Sequence, residues 1–65
     1  METGITLSIY PGEGYHYDVV ANIEDIELVY KQDDVEKSRV SFGSIEEMEA
    51  VAKAMLRAAQ LGREM

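Results

Sequence analysis

The chain has 65 residues, no cysteine, a single histidine and a formal net charge of −7. This leaves room for one small domain, and excludes disulfide staples and cysteine-based or multi-histidine metal sites. At 46% hydrophobic and 29% charged it is too apolar for a disordered acidic tail, and no apolar run approaches the ~20 residues that cross a bilayer.

The opening Met1-Glu2-Thr3-Gly4 lacks a basic stretch followed by an apolar one, so no leader is expected and the cytoplasm is the expected location (a host's cytoplasm if the chain is phage-borne). Ile5-Thr6-Leu7-Ser8-Ile9-Tyr10 alternates apolar and polar, the period of a half-buried strand over about residues 4–10. Pro11-Gly12-Glu13-Gly14 predicts a type II turn, with Pro fixing φ and Gly12 accepting a positive one. A second strand over about 15–21 places Tyr15, Tyr17, Val19 and Ala21 inward and His16, Asp18 and Val20 outward. Asn22 to Asp25 read as a turn from which Ile23 tucks inward. Ile26, Leu28 and Tyr30 form the inner face of a third strand, about 26–31. Val40 and Phe42 do the same for a fourth, about 37–42.

Ser44-Ile45-Glu46-Glu47 is a capping box, and helix formers follow to Leu61, with Gly62 where a helix-ending glycine belongs. The helix is expected over about 45–61. Ile45, Met48, Ala52, Met55 and Ala59 make a stripe fit to cover the inner sheet face. All connections are short, so neighbouring strands run antiparallel. The expected fold is α+β: a four-stranded antiparallel meander with one C-terminal helix on one face (ββββα), in a single domain.

Ala50, Ala54, Ala58 and Leu61 form a second apolar stripe, roughly 140° round the helix at ~100° per residue. One sheet cannot touch both stripes. On so short a chain the second predicts a homodimer through the helix, because small residues let two helices approach closely.

Candidate chemistry is sparse. His16 and Asp18 share a strand face, but the chain has no Cys, Ser44 is committed as a cap, and one sheet layer under one helix supplies no closed cavity. No catalytic residue, cofactor or metal ligand is assigned. The acidic loops lack the spacing that wraps calcium. Pro11-Gly12-Glu13-Gly14 carries a carboxylate and no following helix, so it is no phosphate loop.

Charge is the strongest remaining signal. Residues 1–36 sum to −8 and residues 37–65 to +1. Asp18, Glu24, Asp25, Glu27, Asp33, Asp34 and Glu36 are the candidate contacts to a partner protein with a basic surface, acting as phosphate mimics that speed the encounter. In composition the chain resembles small phage-type inhibitors of host defence or DNA enzymes. In layout, though in no motif, it resembles the single-strand-binding domains of positive-cofactor-type transcription coactivators. That likeness implies a helix-mediated dimer binding nucleic acid through its sheets, with Tyr10, Tyr15 and Tyr17 as platforms and Lys31, Lys37 and Arg39 as a basic patch. The net charge opposes direct nucleic-acid binding. A third expectation is an assembly role through the dimer surface alone.

Overall fold

The structure, a computed structural model, describes residues 4–65. Met1, Glu2 and Thr3, where the leader reading and one acidic charge fall, lie outside the described residues. Four strands in the order β1(Ile5–Gly12), β2(Tyr15–Ala21), β3(Ile26–Gln32) and β4(Val35–Ser41) form one antiparallel sheet, followed by α1(Ile45–Arg63). The fold is the ββββα meander expected from the alternation, with the helix packed on the sheet.

Register follows the apolar pattern. Leu7 pairs with Val19, Val19 with Leu28 and Leu28 with Val40, so one row of aliphatic side chains crosses the inner face. Tyr17 pairs with Tyr30, and Tyr15 joins them in an aromatic cluster with ring centroids 5.2–6.4 Å apart.

Turn chemistry departs from the sequence reading in three places. β1 continues through Pro11 to Gly12, with a register shift between Ile9 and Gly12. A proline is tolerated there because β1 is an edge strand, whose free amides need no partner. The turn therefore moves to Glu13-Gly14, and Gly14 takes the positive φ, 83°. Gly12 is needed instead for space: a Cβ there would lie 2.8 Å from the Tyr15 ring. The β3–β4 connection contracts to Asp33-Asp34, both with positive φ (52° and 64°), as a type I′ hairpin requires. Ile23 is 78% exposed rather than tucked in. The Asn22 side chain accepts from the amides of Glu24 and Asp25, and this Asx turn directs Ile23 outward.

Ser44 caps α1, accepting from the Glu47 amide at 3.0 Å. The return bond lands one residue earlier than expected, with the Gly43 amide donating to Glu47 Oε2 at 3.3 Å. Gly62 lies inside the helix, and the last turn tightens through amides of Glu64 and Met65 donating to Leu61 and Gly62.

The helix packs against β3 and covers little. Of its residues Met48 is half-buried, and every other helix position is exposed. Ile45, Ala52, Met55 and Ala59 therefore do not seal the inner face as the stripe predicts. The shortfall is not confined to overhanging ends: the helix touches the sheet sparsely, along β3, and mid-helix Val51 and Met55 remain 39% and 57% exposed.

Candidate functional site

The better-packed face of the sheet is the outer, charged one. Val29 is 4% and His16 9% exposed, the lowest values among the described residues. Val29 sits between Asp18 on β2 and Arg39 on β4, its direct partners in register. Two ion pairs arch over it. Lys31 Nζ lies 3.1 Å from Asp18 Oδ2, and Arg39 Nη1 lies 2.8 Å from Glu27 Oε1. Arg39, the cross-strand partner of Val29, and Lys31, two residues along the same strand, share this face with it.

Asp18 is the hub. Ser8 Oγ donates to its Oδ1 at 2.6 Å, and His16 Nε2 stands 3.5 Å from the same oxygen. The Ser8 hydrogen bond, then Lys31, hold the Asp18 carboxyl below the ordinary aspartate range. Tyr10 stacks on His16 with centroids 4.8 Å apart. The order of groups differs from a nucleophile–imidazole–acid relay: here the carboxylate takes the middle place and accepts the serine hydrogen bond directly, with no imidazole between them to act as base. Across the sheet, Arg39 reaches Glu36 at 2.7 Å and Glu27 through both carboxylate oxygens. The Arg39 bonds lower the Glu36 carboxyl, and Glu36 followed by Glu27 raises the Arg39 guanidinium further above its ordinary value.

The seven candidate carboxylates thus fall into three groups. Asp18, Glu27 and Glu36 are neutralised on the outer face. Glu24 and Asp25 lie in the β2–β3 turn at one end of the sheet. Asp33 and Asp34 lie at the other, beside the β1–β2 turn, whose Gly14 carbonyl accepts from the Asp33 amide at 2.8 Å. Strands of seven residues separate the two ends by ~23 Å. The candidate cations Lys31 and Arg39 are both paired with carboxylates. Ala50, Ala54, Ala58 and Leu61 are exposed along α1.

Sequence reasoning missed a notch at the joined turns. About 220 Å³ in volume, it is lined by Tyr10, Gly12, Gly14, Tyr15, His16, Asp33 and Asp34. The side chains that form it are two carboxylates, two phenols and an imidazole. The signal lay in the sequence as the aspartate pair forced into a two-residue hairpin, but only the register brings Tyr10 and Tyr15 beside it. A second, larger recess of about 440 Å³ opens between sheet and helix, with an almost wholly apolar lining.

Among the described residues no cluster of histidine and carboxylate side chains is arranged to hold a metal, and no helix is long and apolar enough to cross a membrane. No protein-family model matches the chain, and no curated protein and no solved structure matches it.

Proposed function

We propose that this chain is a small non-enzymatic binding module that docks on the basic surface of a partner protein, a nucleic-acid-binding groove, and blocks it. The observation that carries the reading is the hairpin-tip notch. Asp33 and Asp34 flank it beside Tyr10 and Tyr15, and no ion pair engages either carboxylate among the described residues. A guanidinium or ammonium group fits such a place twice over, through paired carboxylate bonds and by stacking on a phenol face. Glu24 and Asp25, ~23 Å away, extend the acidic field that attracts such a partner. On this reading the encounter takes place in the cytoplasm.

The test is affinity for candidate nucleic-acid enzymes at 50 mM and 500 mM salt. Binding should weaken at least tenfold in high salt, and again in an Asp33→Asn, Asp34→Asn double variant. Affinity indifferent to both salt and the double substitution rejects the reading.

A further inference from the structure

The recess between sheet and helix has a consequence independent of the acidic notch: we propose that it is closed by a second copy of this chain. Ile9, Tyr17 and Leu28 line it from the sheet, and Met48, Val51 and Met55 from the helix.

Three observations fix the occupant. The first is area. The chain exposes 5266 Å², whereas a compact monomer of 7.3 kDa exposes about 4,200 Å². The excess, about 1,100 Å² over the whole chain, is of the size of the ~800 Å² that each partner contributes to a stable interface, and on the inner side Leu7, Ile9, Val51 and Met55 are 39–61% exposed. The second is the missing core. Among the described residues only Val29 is a buried apolar side chain, and it lies on the opposite face. A chain that has not yet closed its inner layer needs a companion present from folding onward, and one always made alongside it is another copy.

The third is charge. Register places Asp18, Glu27, Lys31, Glu36 and Arg39 all on the outer face. The recess itself is lined without a charged residue. The centre of a contact between two molecules each carrying −7 therefore holds no carboxylate. Each copy offers both halves of the missing layer, an apolar strand row and an apolar helix stripe. A two-fold arrangement pairs each half with its complement.

Sedimentation velocity of the full chain at 50 µM should give about twice the mass of 7.3 kDa. The thermal midpoint should climb by about 5 °C for each tenfold rise in concentration. Met55→Glu, on the recess, should abolish the dimer, and Ala54→Glu, on the other helix face, should leave it intact. The concentration dependence of the unaltered chain decides the matter even if Met55→Glu fails to fold. A folded monomer at 50 µM with a concentration-independent midpoint overturns the proposal. So does a dimer that survives Met55→Glu and is lost on Ala54→Glu. Neither result bears on the acidic notch, whose own test is salt-dependent binding.

Discussion

Asp18 accepts a hydrogen bond from Ser8 and pairs with the Lys31 ammonium, and both hold its carboxyl below the ordinary aspartate range. The unfolded chain, with that group near about 3.9, binds a proton at higher pH than the folded chain does. The stabilisation is therefore complete above the unfolded value and is lost as pH falls through the folded one. Glu36 acts in the same direction through Arg39. Stability should rise as pH climbs from the folded-state value of these carboxyls through the unfolded one, and level off above about pH 5. Ser8→Ala should flatten that rise and cost about 1–2 kcal/mol at neutral pH. Urea melts at pH 3 and pH 7 read both, and an unchanged pH slope in the variant would show that Ser8 does not set the carboxyl. At Asp34, φ of 64° strains an L-residue. Asp34→Gly should raise the unfolding free energy by about 0.5–1 kcal/mol while weakening attachment to a basic partner. A loss of stability in the same melts would show that the aspartate side chain supports the turn.

At the scale of elements, local signals rather than burial support the helix within a single chain. It carries a Ser44 cap, Glu46 and Glu47 in the first turn and Arg63 in the last. Ser44→Ala should therefore remove about 1 kcal/mol, read as lost helicity at 222 nm before the sheet melts. Coincident loss of both elements would show that packing, not capping, sustains the rod. Those same local signals made the helix legible in the sequence, and strict alternation made the strands legible. What alternation cannot specify is where an edge strand stops. Pro11 does not end β1, since no neighbour asks for its amide. Gly62 likewise does not end α1, because nothing there opposes another turn.

The whole molecule is extended for its length. Its radius of gyration is 13.3 Å, where a compact domain of 65 residues has about 11 Å. The principal extents are 45 × 30 × 18 Å. The layout was predictable, but the open recess was not, because the stripe of Ile45, Met48, Ala52 and Met55 is equally consistent with sealing one's own sheet and with meeting another's. Nor could the sequence distribute the carboxylates. Nine acids in the first 36 positions suggest one acidic field, yet the register spends Asp18, Glu27 and Glu36 on cations of the outer face. Only long-range pairing decides which charges cancel at home and which face outward.

The amide of Asp33 is tethered to the carbonyl of Gly14, so the two hairpin tips are joined as neighbouring walls of one socket. On the proposed reading, a cationic guest would find its seat already shaped, the disorder that had to be given up having been surrendered when the chain folded. Tightness of grip would then depend little on waiting for the loops to close, and mostly on how fast the guest can leave.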